Sequence, residues 1–321
     1  MYASIFIPTG KRAESLNRVL SSLVKQNYKD FEALIVNYKS TDGTDSVIKN
    51  YVKRLHIKVI QQRTKGLSKA ANLALKVAKG KIFIRTDDDV VMSSSWLRSI
   101  HDTFESDKKI GGVTGPTVIP QSFRKNRDLF IIEERFKNGD PAWRLIGRLY
   151  FGFFMEGQPH KVSHWFDSGA FGLGSNFAES KKEKLHEVTN LEACNFSVRT
   201  KLLKKIGGFD TFYSGVGEYH EPDAAFKIKE LGYRLVFNPK ALLNHCPSKQ
   251  GFFNDRPESY SRMINFIVFY RRHIKLNSVR KFFHFIPYLL FLDSYYIYTA
   301  FKTKQLKQLG ALPGTIVGFL K

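Results

Sequence analysis

Ile82-Phe83-Ile84-Arg85-Thr86-Asp87-Asp88-Asp89-Val90-Val91 is a short apolar run that ends on three consecutive carboxylates. A buried strand that delivers Asp-Asp-Asp to its C-terminal end builds a strongly negative spot, because adjacent carboxylates repel and raise one another's pKa unless a cation joins them. The stretch predicts a divalent-metal site with Asp87 and Asp89 facing the ion, together with an anionic ligand for that ion to hold.

Working outward, residues 3 to about 118 alternate strand and helix. Ala3 to Ile7 reads as a buried strand closed by Pro8-Thr9-Gly10, and Leu16, Val19, Leu20, Leu23 and Val24 then recur at helical spacing. Glu32 to Val36 is the next strand, ended by the turn Ser40-Thr41-Asp42-Gly43-Thr44. Val47, Ile48, Tyr51, Val52 and Leu55 predict a second helix, Ile57 to Ile60 a third strand, and Leu67 to Ala78 an Ala-rich helix leading into the Ile82 strand. Repeated βα units of this length predict an α/β, doubly wound sheet.

Ligands of such sheets bind beyond the carboxyl ends of the strands. Pro8, Thr9, Asn37, Tyr38 and Asp87 to Asp89 all fall there, beside the basic connection Gln62 to Lys69. A nucleoside diphosphate suits that inventory: Arg63, Lys65 and Lys69 for the phosphates, a metal bridging carboxylates to phosphate oxygens, and the loops for base and ribose. Taken alone, a cation run is more often a solvated face, and its place between the third strand and the Asp strand is what favours phosphate.

The order Ile5-Phe6-Ile7-Pro8-Thr9, Ser40-Thr41-Asp42-Gly43-Thr44, Gly66-Leu67-Ser68-Lys69-Ala70-Ala71-Asn72 and Thr86-Asp87-Asp88-Asp89 resembles the nucleotide-sugar half of the inverting family 2 glycosyltransferases. Ile110-Gly111-Gly112-Val113-Thr114-Gly115-Pro116 is similar to the family's strand after the metal motif. Residues 121 to 190 read as irregular. Order returns at Leu191 to Arg199 and Leu202 to Asp210, which resemble the acceptor half. In Gly217 to Arg234, counting back from Gly232-Tyr233, the family's acidic pair falls on His220-Glu221 and its following Asp on Asp223. Asn238-Pro239-Lys240-Ala241 and Asn244-His245 complete the pattern.

The resemblance implies a GT-A fold, a Rossmann-like doubly wound mixed sheet, over residues 1–250, with a nucleotide-sugar half (1–118) and an acceptor half (119–250). It implies a metal-dependent, inverting transferase that moves a sugar from a nucleotide-sugar donor to a lipid-linked or growing oligosaccharide acceptor. Glu221, where the family normally has Asp, becomes the expected general base. Asp87, Asp89 and His245 become the metal set, with Asp87 and Asp88 also in the donor site and Asp88 on the ribose. Oxygen ligands favour Mn²⁺ or Mg²⁺, and His245 tilts the choice toward Mn²⁺. Asn37-Tyr38 stands where many members carry an Asp or an Asp pair, so UDP-, GDP- and dTDP-sugars all stay open. No Gln-x-x-Arg-Trp motif is present, which argues against processive synthesis.

The formal charge of +22 and a pI near 9.8 call for a polyanionic partner. From residue 250 onward eleven Lys/Arg face three acids amid many Phe and Tyr, a mixture suited to an anionic membrane surface rather than to nucleic acid, and no nucleic-acid partner is expected. Residues 251–321 read as a helical tail: an amphipathic helix over 256–273, then the aromatic run Phe282 to Phe301. That run carries His284, Pro287 and Asp293, so it reads as an interfacial or re-entrant anchor rather than a span. Packing of these helices on the catalytic domain, or a homo-oligomer contact through them, is the competing expectation. Cys194 and Cys246 lack metal-ligand spacing, Cys194 reads as a small core residue, and the start of the chain shows no signal peptide. The expected location is cytoplasmic, peripheral or monotopic on the inner face of the cell membrane. Two other classes remain: a glycan-binding scaffold without turnover, and a basic nucleic-acid-binding protein, which would explain the charge but not the paired acidic sites.

Overall fold

A computed structural model describes residues 1–124, 128–213, 218–247 and 259–321. The chain divides into two compact units, one formed by Met1–Ile119 and Ser175–Asn254, the other by Pro120–Gly174 and Asp255–Lys321. Residues 120–174 and 255–321 share the second unit. Of the expected helix over 256–273, the first three residues lie outside the described residues, as does Gly217 of the acidic-pair segment.

In the first unit the strands are β1 (Ala3–Thr9), β2 (Phe31–Tyr38), β3 (Ile57–Gln62), β4 (Ile82–Arg85), β5 (Val90–Met92), β6 (Ile110–Thr114), β7 (Thr117–Val118), β8 (His186–Glu187), β9 (Phe196–Arg199), β10 (Arg234–Phe237) and β11 (Leu243–His245). The helices of the chain are α1 (Ala13–Val24), α2 (Thr44–Tyr51), α3 (Leu67–Val77), α4 (Trp96–Ser106), α5 (Gln121–Arg124), α6 (Asp128–Asn138), α7 (Pro141–Arg148), α8 (Thr200–Lys205), α9 (His220–Glu230), α10 (Ser259–Phe269), α11 (Val279–Thr303) and α12 (Ala311–Leu320). Eight strands form one sheet in the order β3-β2-β1-β4-β9-β6-β10-β8, and β5-β11-β7 form a second.

Strands β1, β2 and β4 are buried along almost their whole length, so the few polar side chains they carry must be paired inside. In α1, Leu16, Val19, Leu20 and Leu23 are buried at the spacing of one helical face. The edge strand β3 keeps Lys58 and Gln61 exposed, which blunts an otherwise unpaired edge. A buried carboxylate, Glu32, is satisfied inside the sheet: its Oε1 accepts from Ser4 Oγ at 2.6 Å and from the Lys79 amide at 2.8 Å. Ser4 Oγ in turn accepts from the Gly80 amide at 2.8 Å, and a Cβ on Gly80 would meet the Ser4 nitrogen at 2.4 Å.

The β1-β2, β2-β3 and β1-β4 pairs are parallel, as the βα repeats predict. The sheet becomes mixed at β9, which runs antiparallel to both β4 and β6. Its first residue, Phe196, pairs with the last of β4, Arg85, so the chain re-enters the sheet where β4 leaves it.

The second unit is helical, and residues 121–174 contribute α5 to α7 and a π-turn over Leu149–Phe154. Helix α11 runs 25 residues through Pro287, and Ser278 caps it by accepting from the Lys281 amide. Helix α12 lies close on α10: a Cβ on Gly314 would meet the Tyr260 carbonyl oxygen at 2.5 Å. In helix α10 residues 265–269 are all buried, while Tyr260 near its start is exposed. Among the described residues no helix is long and apolar enough to cross a membrane.

Candidate active site

Strand β4 ends at Arg85, and Asp87 to Asp89 form the turn into β5. The Thr86 amide continues the ladder to the Phe6 carbonyl, and its hydroxyl donates to the Cys194 carbonyl at 2.8 Å. The turn is thus held on both sides before any carboxylate acts. Strand β11 returns antiparallel to β5 in a register that pairs His245 with Val90, and the Cys246 amide donates to the Asp89 carbonyl. That pairing sets His245 beside a carboxylate far away in sequence. Its Nε2 lies 3.3 Å from Asp89 Oδ1, is buried, and makes no hydrogen bond among the described residues.

Asp87, Asp89 and His245 offer ligand atoms that all lie within 4.8 Å of one another. Two carboxylate oxygens and an imidazole nitrogen facing each other without a hydrogen bond to the nitrogen fit a divalent cation of the Mn²⁺ or Mg²⁺ class. Asp87 is half-buried, Asp89 and His245 buried, so the set is recessed but reachable at one carboxylate.

Asp88 points elsewhere. It is buried, accepts from Thr9 Oγ1 at 2.7 Å and pairs with Arg12 Nη1 at 2.6 Å, and the same guanidinium nitrogen stands 3.3 Å from Asp89 Oδ2. Burial pushes the Asp88 carboxyl up to about 7 against the pull of Arg12, with Asp89 adding to the rise. Arg12 thereby offsets the repulsion between two of the three adjacent carboxylates.

A second buried cation is Arg85. Its Nη2 lies 2.8 Å from Asp87 Oδ1 and its Nε 3.1 Å from Glu221 Oε1, so one guanidinium ties the turn to the start of α9. Glu221 is the second residue of that helix and is buried at 3% exposure, and its other oxygen lies 3.0 Å from His220 Nδ1. A carboxylate in a first helical turn is favoured by the helix dipole. The chain enters α9 through Tyr219 in a left-handed conformation, φ 81°, which a side chain of that size rarely adopts and which swings His220 and Glu221 into the interior. Asp223 is also buried but is engaged by the Tyr213 hydroxyl at 3.2 Å and Lys227 Nζ at 2.7 Å.

The remaining predicted residues gather at neighbouring strand ends. Thr9 pairs with Asn37 and Tyr38 with Gln62, which sets Pro8, Thr9, Asn37 and Tyr38 side by side with the β3–α3 connection. Asn37 is buried and donates to Asp45 Oδ1 at 3.3 Å, while Pro8 and Tyr38 are half-buried. Arg63, Lys65 and Lys69 stand exposed, the first two on that connection and Lys69 in the first turn of α3. Cys194 is buried with its thiol pushed well up, first by burial and then by Asp87, which leaves it a core residue rather than a nucleophile. The sequence reading missed Arg12 and Arg85. The available signal was Arg85 itself, a charge inside an apolar strand, since buried charges are paired.

The chain's relatives fit this arrangement. The poly(ribitol-phosphate) β-N-acetylglucosaminyltransferase TarS of Staphylococcus aureus is 33% identical over 135 residues, covering 39% of this chain and 23% of TarS. The glucosyl-dolichyl phosphate glucuronosyltransferase of Haloferax volcanii is 23% identical over 241 residues, 73% of this chain and 65% of that protein. The chain thus spans less than two thirds of the length of either. Among solved structures, TarS 1–349 in complex with UDP-GlcNAc superposes with a TM-score of 0.58 at 20% identity, covering 99% of this chain and 79% of the other. The mannosyltransferase PcManGT from Pyrobaculum calidifontis, in complex with GDP-Man and Mn²⁺, gives 0.57 at 16% identity, covering 98% and 86%. At such identities these superpositions establish the fold, GT-A. The family model Glycosyl transferase family 2 matches residues 4–207, well over half of the sequence, and on that match the chain belongs to glycosyl transferase family 2.

Proposed function

We propose that the chain transfers one sugar, with inversion, from a nucleotide-sugar donor to a lipid-linked or growing glycan. The observation that carries this reading is the Asp87, Asp89 and His245 cluster joined through Arg85 to Glu221, in a chain of this family. The relatives add support: TarS was solved with UDP-GlcNAc and PcManGT with GDP-Man and Mn²⁺, and the Haloferax enzyme acts on a dolichyl phosphate-linked sugar.

Inverting transfer needs charge neutralised on the departing diphosphate and a base on the opposite face of the anomeric carbon. A divalent ion held by Asp87, Asp89 and His245 supplies Lewis-acid neutralisation when bound. Pro8, Thr9, Asn37 and Tyr38 orient base and ribose from the strand ends. Arg63, Lys65 and Lys69 draw the diphosphate in. Asp88, locked by Arg12 and Thr9, fixes the turn. Glu221 takes the proton of the acceptor hydroxyl onto a carboxylate oxygen, and Arg85 and His220 hold that carboxylate in orientation.

The C-terminal unit carries most of the exposed large apolar side chains among the described residues, Leu145, Phe283, Phe301, Leu306 and Leu320 among them. With the cationic excess of the tail, this supports a peripheral or monotopic seat on an anionic membrane, at the cytoplasmic face.

A screen of UDP-, GDP- and dTDP-sugars, read by nucleoside diphosphate release with Mn²⁺ or Mg²⁺ and several lipid-linked acceptors, tests the reading. No release with any pair would overturn it. Glu221→Gln should lower kcat by about 10²–10⁴-fold with donor binding kept, and unchanged turnover would remove Glu221 from the role of base.

A further inference from the structure

The second unit contains a half-open cavity of about 450 Å³. Small-molecule sites commonly measure roughly 300–1,000 Å³. Its wall is nearly all hydrocarbon and aromatic, with Phe136, Ile146, Phe151 and Leu292 contributing. Such a wall offers water few hydrogen-bond partners and favours an apolar occupant.

One part of that wall is different. Trp143 and Tyr298, both lining the cavity, meet edge to face with ring centroids 5.9 Å apart. The Arg135 guanidinium lies 5.6 Å from the Trp143 ring, and Lys302 Nζ lies 5.3 Å from the Tyr298 ring while donating to its hydroxyl at 3.0 Å. Each of these two lining aromatics thus has a cation against its ring, and neither cation is itself part of the lining. The carboxylate in the lining, Glu133, does not cancel them, because it is already paired with Lys137 and with His160. An apolar interior bordered by two cations is complementary to an amphiphile with an apolar chain and an anionic head.

We propose that this cavity holds the hydrocarbon chain of a single-chain lipid phosphate, with the phosphate outside it at Arg135 and Lys302. A neutral apolar ligand would gain nothing from the two cations, and a free anion would gain nothing from the cavity. In biological meaning the site rests on the lipid-linked reading of the acceptor, for which it supplies a grip on the carrier. The binding itself requires neither donor nor metal.

The test is isothermal titration of the full chain, without metal or donor, with octyl to tetradecyl phosphate below their micellar concentrations. The matching n-alkanols and inorganic phosphate serve as the two separated halves of the ligand. Burial of each methylene should raise affinity about fourfold, until the chain fills the cavity and the gain stops. Alkanols should bind at least about tenfold more weakly, and inorganic phosphate should show no binding at the same concentrations. Ile146→Trp, which fills the cavity, should flatten the chain-length dependence. Lys302→Glu, on the exposed rim, should weaken the phosphates about tenfold and leave the alkanols unchanged.

Affinity independent of chain length, or equal binding of alkanol and alkyl phosphate, would overturn the proposal. So would inorganic phosphate binding as well as the alkyl phosphates. Should Ile146→Trp fail to fold, the chain-length series and Lys302→Glu still decide. Nucleoside diphosphate release is read separately. Turnover of a lipid-linked acceptor without alkyl phosphate binding removes the cavity site and leaves the transferase standing, and binding without turnover of any donor does the reverse.

Discussion

Replacing Arg85 by methionine removes a cation that serves both Asp87 and Glu221 while keeping a side chain of similar length in the β4 core. The guanidinium side chain is 4% exposed, Glu221 4% and Asp87 15%, so solvent screens these pairs little. At an effective dielectric of about 20, unit charges about 3 Å apart attract by roughly 5 kcal/mol. Desolvation of three charges offsets much of this, and removing one partner of a buried pair costs about 3–5 kcal/mol because the survivor stays buried and uncompensated. The loss should fall within that range, since Asp87 loses its guanidinium while Glu221 keeps His220 against its other oxygen. Urea unfolding followed by the fluorescence of Trp96, buried in the same unit, reads it. Mn²⁺ should recover more stability in Arg85→Met than in the parent, because the ion then neutralises an Asp87 that has lost its guanidinium. A loss under about 1 kcal/mol, or the same Mn²⁺ increment in both proteins, would refute the claim that Arg85 links the carboxylate turn to Glu221.

Three further outcomes are expected. His245→Ala should lower Mn²⁺ affinity by at least about tenfold in a calorimetric titration while leaving the metal-free melting temperature nearly unchanged, and an unaltered affinity would exclude His245 as a ligand. Burial raises the Asp293 carboxyl above its ordinary 3.8, with the Thr315 hydroxyl opposing. Its contribution to stability is therefore full below that value and is lost as pH rises through the folded-state pKa. Asp293→Asn should accordingly be more stable than the parent at neutral pH and equal to it near pH 4, as read from urea midpoints across pH, and a variant less stable at neutral pH would contradict the sign. Gly80→Ala should cost at least about 1–3 kcal/mol, because the new methyl meets the Ser4 backbone nitrogen rather than a yielding side chain, and an unshifted urea midpoint would show that β1 and the β4 approach are looser than described.

The elements that carry a local period were legible before any coordinates. The buried spacing of Leu16, Val19, Leu20 and Leu23 makes α1, and the apolar runs ending on Pro8-Thr9, Asn37-Tyr38 and Asp87-Asp88-Asp89 place three strand ends on one side of the sheet. Those patterns are local because side-chain direction repeats with the backbone itself. The helical content of residues 121–174 was not legible: its helices are short, interrupted by a π-turn, and packed by aromatic contacts between residues distant from one another in sequence. The antiparallel entry of β9 was hidden for a related reason, since strand direction depends on where a distant segment re-enters.

The sequence by itself determined the βα order, the family likeness and the carboxylate turn, because each is written in neighbouring residues. Tertiary structure alone decided which distant groups hold each carboxylate. Arg12 and Thr9 draw Asp88 inward, the β5–β11 register sets His245 against Asp89, and Arg85 joins Asp87 to Glu221. Three adjacent like charges cannot share one environment, and which of them faces a metal depends on where the chain's distant cations and strands bring their compensating groups.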